Sequence, residues 1–182
     1  MKTILVLSIR ESHAENILEG RKKVELRRVR SKLDEGDVVL IYAPRPVMAL
    51  VGGFVVKEVI VAQPGQLWKQ VGGVTGLTKH QFTQYYSGAS VAFGICIDTT
   101  WRLDKPVSLA VLRRCWLPFT PPQCFRYLGP KEMRAAKSFK INLIPSEAFG
   151  RTKSTFPLLE NPSRPRLKVR PCDPIIHFEE ML

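Results

Sequence analysis

Residues 20–27, with the sequence Gly-Arg-Lys-Lys-Val-Glu-Leu-Arg, carry the side chains whose types and spacing are best suited to chemistry. In an extended strand, alternate side chains point to opposite faces, so Lys23, Glu25 and Arg27 would share one face. A carboxylate between two cations suits the polar floor of a binding cleft, where an arginine grips phosphate and the carboxylate accepts from an amine. The alternatives are an exposed strand face with solvated charges, or an internal Glu25–Arg27 ion pair that fixes the mouth of the fold.

Three elements are expected to position this segment. The apolar run over residues 3–9 predicts a buried strand. Ser12 followed by Glu15 has the spacing of a capping box and predicts a helix N-terminus. Gly20 is expected to end that helix, and the charged segment then begins a second strand over residues 24–29.

The chain continues with strands separated by short helices. We predict strands over residues 38–42, 47–62 and 91–101, and helices after Pro64 and after Thr78. Gly52-Gly53 lies inside the longest run and is typical of a bulge or a sharp bend. Because strands outnumber helices and the helices are short, the sequence predicts an α+β fold built on a small mixed β-barrel or strongly curved sheet with one mouth for a ligand.

The length of 182 residues, 45% of them hydrophobic, is sufficient for one core with an appended lobe. Prolines interrupt the chain beyond Leu117, and the composition changes there. We expect residues 1–128 to form the barrel domain. Residues 129–182 are expected to form a basic, proline-containing extension with one helix over 131–139, packed on the barrel or trailing from it.

The net charge of +12 and the sequence pI near 9.9 favour a polyanionic partner, above all a nucleic acid. RNA and DNA are not distinguished by this argument. If the basic segments meet in space they form a phosphate-facing surface, and otherwise each is an ordinary solvated face. The residues expected to contact a nucleic-acid backbone are Arg21, Arg28, Arg30, Lys32, Arg113, Arg114 and Arg126.

The remaining composition predicts neither a metal site nor a cofactor. The four cysteines include no pair with metal-ligand spacing, and the three histidines are far apart in sequence. The apolar start is too short for a signal peptide, and no apolar run approaches membrane-spanning length. We therefore expect a cytoplasmic protein with four free thiols and no membrane partner.

The order of these elements resembles the ASCH domain, a PUA-like β-barrel, over about residues 2–128. The resemblance is carried first by the motif Gly20-x-Lys22-x-x-Glu25-x-Arg27. It is supported by Ile41-Tyr42-Ala43, by Tyr85-Tyr86-Ser87-Gly88 and by Pro121-Pro122-Gln123-x-Phe125-Arg126-Tyr127-Leu128. The last of these is similar to the closing segment of members described as predicted transcriptional regulators.

This resemblance implies a cleft between the sheet and the helices that binds RNA or a nucleotide-like ligand, with a regulatory role in some members. Within the cleft, a tyrosine could stack on a base. The expected ligand-binding residues are Lys22, Lys23, Glu25 and Arg27 as polar groups and Tyr42, Tyr85 and Tyr86 as walls.

Two alternatives accompany the binding function. The first is a hydrolase, because some members of the family remove the acetyl group of N4-acetylcytidine and another cuts single-stranded RNA. Lys22 matches the family lysine, but the threonine of the amidohydrolases falls at Glu25 and no acid lies near residues 74–76. If the chain is an enzyme, Lys22 and Glu25 are the expected catalytic pair. The second alternative is an accessory protein that docks a protein partner through residues 129–182.

Overall fold

The computed structural model describes residues 2–139 and 142–149, and in this part of the chain six strands form one mixed sheet. The spatial order is β2-β5-β4-β3-β1-β6, with β1 parallel to β3 and the other neighbours antiparallel. The strands are β1 (Ile4–Ser8), β2 (Val24–Arg27), β3 (Val38–Ala43), β4 (Ala49–Ala62), β5 (Ala92–Ser108) and β6 (Phe125–Leu128).

Five short α-helices accompany this sheet within the described residues. They are α1 (Glu11–Leu18), α2 (Pro64–Val71), α3 (Lys79–Tyr85), α4 (Leu109–Cys115) and α5 (Pro130–Ser138), with 3₁₀ turns at Gly72–Val74 and Ser146–Phe149. The prediction of an α+β fold with a strongly curved sheet is confirmed, since the six strands curl into a half-barrel.

The glycine pair in β4 explains how two long strands bend together. A β-carbon at Gly52 would collide with the carbonyl oxygen of Trp101, and one at Gly53 would collide with the Trp101 ring. The register between β4 and β5 shifts between Leu50 and Gly52. The bend predicted from Gly52-Gly53 is therefore present, and only glycine allows the strands to approach so closely.

Three apolar clusters hold the helices against the sheet. The first joins β3, β4 and β5 to α4 and α5 and includes Tyr42, Trp116 and Phe119. The second packs α1 on the sheet through Ala14 and Ile17. The third packs α2 and α3 on β2 and includes Leu67, Phe82 and Tyr86. The third cluster contains Val24 and Leu26 of β2, and the second contains Ile95, which pairs with Glu25, so both help to position β2.

Two local predictions are wrong. Helix α1 begins at Glu11 after Arg10 and has no side-chain cap, so Ser12 lies inside the helix and does not form a capping box with Glu15. Strand β2 ends at Arg27, two residues earlier than predicted. It ends there because Arg27 pairs with Phe93, one residue from the start of its partner strand.

Part of the predicted C-terminal extension packs on the sheet. Ala136, Leu143 and Ala148 are buried in the first cluster. The indole nitrogen of Trp101 donates to the carbonyl of Leu143 at 3.0 Å, and that of Trp116 donates to the carbonyl of Glu132 at 2.8 Å. Residues 140–141 and 150–182 lie outside the described residues, so docking of a partner through residues 129–182 stays a prediction.

Candidate functional site

The C-terminal ends of β2 and β1 approach each other, where β2 is one edge of the curled sheet and β1 lies next to the other edge strand, β6. The Arg27 guanidinium on β2 donates from Nη2 to the carbonyl of Ser8 on β1 at 2.9 Å. In the sheet order, three strands separate β2 from β1. This hydrogen bond therefore spans the open side of the half-barrel. We call this junction, formed by Ser8, Lys22, Glu25 and Arg27, the seam.

Glu25 is the centre of a nearly buried charge cluster in the seam. Its Oε1 lies 2.9 Å from Nη2 of Arg27, and its Oε2 lies 3.4 Å from Nζ of Lys22. The side chains of Lys22, Glu25 and Arg27 are 3%, 9% and 14% exposed. The internal ion pair considered as an alternative is thus present, and it carries one excess positive charge because two cations share one carboxylate.

The turn that precedes β2 brings Lys22 into this cluster. Gly20 has a φ of +74°, and the backbone N–H of Lys22 donates to the carbonyl of Asn16 at the end of α1. The Lys22 ammonium group then donates to the carbonyl of Thr75 at 2.7 Å. Lys22 precedes the first residue of the strand, so strand alternation does not set its direction.

Lys23 lies apart from this cluster. It is exposed, and among the described residues the ion-pair partners of Glu25 are Lys22 and Arg27. An open cleft of about 170 Å³ lies at the N-terminal end of β2, and its lining includes Lys22, Lys23, Lys57, Asp98 and Thr100. The structure thus places Lys22 between a buried charge cluster and a lysine-rich cleft.

Burial changes the protonation chemistry of Lys22. Removal from water lowers the pKa of its ammonium group, the charge and hydrogen bond of Glu25 oppose this shift, and the charge of Arg27 adds to it. An amine with a lowered pKa loses its proton more readily than an exposed lysine does. Lys22 is therefore able to serve as an acid or a base.

His13 is a member of the site that the sequence analysis missed. It is half-buried on α1, and its Nδ1 is buried with no hydrogen-bond partner among the described residues. Burial lowers its pKa most, Lys22 lowers it further, and Glu25 opposes the shift. Helical spacing could have indicated that His13 faces the core. It lies four residues before the fully buried Ile17, so the two side chains share one face of α1.

Two of the three predicted tyrosine walls need correction. Tyr42 is 2% exposed and packs edge-on against Phe119 in the first cluster, away from Glu25. Tyr86 is 3% exposed, and its hydroxyl donates to the carbonyls of Arg27 and Phe93 at 3.2 Å. Neither ring presents a face on which a base could stack, because both faces are packed in the core.

Tyr85 is the tyrosine that lies beside the seam. It is half-buried, and its hydroxyl donates to the carbonyl of Leu26 at the edge of β2, 3.3 Å away. Burial raises its pKa, while the charge of Arg27 lowers it and that of Glu25 raises it. Tyr85 is therefore a neutral donor that closes the free edge of β2.

Two of the predicted backbone-contacting cations, Arg28 and Arg126, are engaged by groups of the protein itself. Arg28 donates to the carbonyls of Tyr85 and Ser87, and Arg126 donates to Glu132 and to the carbonyl of Pro118. Both guanidinium groups therefore form hydrogen bonds within the protein. Arg21 is exposed but is engaged by Asn16 and Glu19. Arg30, Lys32, Arg113 and Arg114 are exposed, and the last two lie on α4, which packs against the first cluster.

The described residues contain no group of histidine, cysteine or acidic side chains that could hold a metal ion. Cys96, Cys115 and Cys124 form no disulfide among the described residues, and Cys172 lies outside them. Of the helices in residues 2–139 and 142–149, none combines the length and apolar composition needed to cross a bilayer.

Comparisons by family profile, by sequence and by structure all match this chain to proteins with an ASCH domain. The profile of the ASCH domain family matches residues 7–99. A protein of Zymomonas mobilis described as an ASCH domain-containing ribonuclease is 27% identical over 127 residues, which are 70% of this chain and 85% of that protein. The crystal structure of ASCH from Zymomonas mobilis is similar with a TM-score of 0.70 at 26% identity, over 74% of this chain and 94% of that one. A serine-to-alanine variant of the same protein gives a TM-score of 0.70 at 26% identity, over 75% of this chain and 95% of the variant.

Proposed function

The chain belongs to the ASCH domain family, and on that premise we propose that it binds single-stranded RNA at the seam and cleaves it. The relative from Zymomonas mobilis that covers most of this chain is described as a ribonuclease, which supports the class of reaction. A transcriptional role and a cytoplasmic location stay predictions, as does DNA as an alternative ligand.

One observation carries the proposal. The Nε of Arg27 is buried and has no hydrogen-bond partner among the described residues, whereas Nη2 of the same guanidinium contacts both Glu25 and Ser8. A buried donor without an acceptor costs about 1–3 kcal/mol. A phosphate oxygen would satisfy this donor with a charge-assisted hydrogen bond. The excess positive charge of the cluster favours the same ligand.

Glu25 organises the cluster in this proposal. Each of its carboxylate oxygens faces a cation, so the general-base role considered for it in the sequence would require breaking an ion pair. Fixing Lys22 and Arg27 in advance is useful for catalysis, because preorganised cations stabilise charge that develops on a phosphate. The proposed roles are phosphate binding for Arg27 and proton transfer for Lys22.

Hydrolysis of N4-acetylcytidine is the weaker alternative. Glu25 occupies the position of the family threonine, and both of its oxygens are engaged. Thr75 lies beside Lys22, but it is fully buried and its hydroxyl donates to the carbonyl of Gly72 at 2.9 Å. A hydroxyl held in this way is poorly placed to attack an acetyl group.

The proposal is tested with Arg27→Lys, which keeps the charge and removes the Nε donor. We expect binding of a fluorescent single-stranded 2′-O-methyl RNA, which resists cleavage, to weaken about tenfold, equivalent to about 1.4 kcal/mol. Arg102→Lys is the matched control, because Arg102 on β5 is an exposed ion-pair partner of Glu15. The affinity of this variant for the same RNA should differ from that of wild type by less than about twofold.

The same experiment includes incubation of the wild-type protein with single-stranded RNA and with N4-acetylcytidine. Cleavage of the RNA supports the proposal. If the wild-type protein leaves RNA intact, or if Arg27→Lys binds as tightly as Arg102→Lys, the proposal is overturned. Release of acetate from N4-acetylcytidine by a protein that leaves RNA intact would replace it with the amidohydrolase alternative.

A further inference from the structure

We propose that His13 is the proton acceptor of the seam, and that it removes the proton of an RNA 2′-hydroxyl as that oxygen attacks the adjacent phosphorus. The inference rests on the proposed function, because it names the group that starts the cleavage and the ribose hydroxyl as the nucleophile. It adds a residue that lies outside the motif at residues 20–27 and on a different element.

The packing of α1 brings His13 to the seam. Ala14 and Ile17 of this helix share the second apolar cluster with Ile95, and Ile95 pairs with Glu25 in the register of β2 and β5. The end of the same helix is joined to Lys22 by the backbone hydrogen bond from Lys22 to Asn16. Helix α1 packs on β3, β4 and β5 beside β2, and the charges of Lys22, Glu25 and Arg27 all act on the His13 imidazole.

One ring nitrogen of His13, Nδ1, is buried and has no hydrogen-bond partner among the described residues. Buried polar atoms are almost always hydrogen-bonded, so an unpaired one calls for an explanation. Nδ1 of His13 on α1 and Nε of Arg27 on β2 are both buried, and neither has a hydrogen-bond partner among the described residues. A ribose hydroxyl at Nδ1 and its neighbouring phosphate at Nε would satisfy both.

The charges around His13 keep it in the form that accepts a proton. The groups that face it are Lys22, Arg10 and Arg27, which lower its pKa, and Glu25, which raises it. With burial as the largest cause, the net shift is downward from the usual value. A neutral imidazole has one nitrogen that is free to accept, and it is the commonest general base in enzymes.

The proposed step balances without a further reactant. The 2′-hydroxyl proton moves to the imidazole while a bond forms between the 2′-oxygen and phosphorus and the bond from phosphorus to the 5′-oxygen breaks. The Lys22 ammonium group, whose pKa is lowered by burial, protonates the departing 5′-oxygen. Arg27 binds the phosphate oxygens throughout. The products are a 2′,3′-cyclic phosphate and a 5′-hydroxyl.

The first test uses His13→Asn, which places an uncharged amide near the position of Nδ1. We expect the cleavage rate of single-stranded RNA to fall about 10²–10⁴-fold, the usual contribution of a general base. Binding of the 2′-O-methyl RNA should stay within about twofold of wild type, because the phosphate-binding groups are unchanged. The acid limb of the pH–rate profile should disappear. His80→Asn is the matched control, since His80 is an exposed histidine on α3.

The second test needs no variant. The wild-type protein is given a DNA oligonucleotide with a single ribonucleotide, and the products are identified by mass spectrometry. We expect one cut, directly 3′ of the ribonucleotide, that leaves a 2′,3′-cyclic phosphate. A product with a 3′-hydroxyl and a 5′-phosphate would show that water attacks phosphorus and would overturn the inference.

The outcomes separate the two proposals. Cleavage of RNA by His13→Asn within about threefold of wild type, with the same pH profile, overturns the role of His13 and leaves the proposed function in place. Failure of the wild-type protein to cleave any RNA overturns both. If His13→Asn does not fold, as judged by its melting transition, the cleavage rate of His13→Gln is measured in its place. The product formed from the single-ribonucleotide substrate then tests the role of the 2′-hydroxyl without any variant.

Discussion

Two of the arginine–glutamate ion pairs in this protein differ in burial, one being exposed on the surface and the other nearly buried. Glu15 and Arg102 join α1 to β5 through two hydrogen bonds, with side chains that are 38% and 50% exposed. Glu25 and Arg27 share one ion-pair contact in the seam, with side chains that are 9% and 14% exposed. The surface pair has the better geometry, yet burial decides how much each one matters.

The buried pair costs more free energy to form than the exposed pair does. An exposed pair contributes about 0–1 kcal/mol because water already solvates both charges. A buried cluster pays for its desolvation and is often no more stable than an apolar replacement of similar volume. Lys22 adds a second buried cation to Glu25, which increases that cost. Three charges kept at this cost fit the phosphate-binding and proton-transfer roles proposed for the seam.

The largest expected effect comes from removing the shared negative charge. Glu25→Gln should lower the free energy of unfolding by about 3–5 kcal/mol, because it leaves the cations of Lys22 and Arg27 buried without a counter-charge. Glu15→Gln should lower it by about 0–1 kcal/mol. Urea denaturation of both variants measures the contrast. Equal losses in the two variants would show that burial does not distinguish the pairs.

The second expected effect removes the charges of the seam together. Lys22→Met, Glu25→Leu and Arg27→Met combined should restore the free energy of unfolding to within about 2 kcal/mol of wild type, since no unpaired charge is left. The carbonyls of Ser8 and Thr75 each lose a donor, which limits the recovery. RNA binding and cleavage should be lost. A combined variant as unstable as Glu25→Gln would mean that the cluster is held for stability.

Much of the fold could be predicted from the sequence, for local reasons. The apolar runs of β1, β3 and β4 are long enough to identify as buried strands, and Gly52-Gly53 marks the bend. The motif at residues 20–27 contains the three members of the charge cluster. Strand alternation indicated Glu25 and Arg27 but pointed to Lys23 as the third member, and Lys22 was named through the family resemblance.

The other features of the site depend on contacts between distant elements. Lys22 turns inward because α1 and Thr75 hold it, and neither contact can be read from the alternation of β2. His13 approaches the cluster only through the packing of α1 on the sheet. The rings of Tyr42 and Tyr86 are buried by residues that are far away in sequence. The local sequence therefore predicted that they line a cleft, whereas both belong to the apolar core.

The smallest expected effect concerns pH and the half-buried His13. Its pKa in the folded protein is lowered from the usual 6.5 by burial first, then by Lys22, Arg10 and Arg27, with Glu25 opposing. Above pH 6.5 the imidazole is neutral in both states and contributes nothing. As the pH falls below 6.5, the unfolded state binds the proton first, so stability is lost until the pH passes the folded pKa.

Comparison of wild type with His13→Asn isolates this contribution from the other titrating groups. Between about pH 7.5 and 5.5, the free energy of unfolding of wild type should fall more than that of His13→Asn, and the two should run parallel at higher pH. His80→Asn, at an exposed position on α3, is the control for the substitution itself. A difference that is flat with pH would mean that folding leaves the pKa of His13 unchanged, and a smaller fall in wild type than in His13→Asn would mean that folding raises it. Either result would contradict the neutral base assigned to His13.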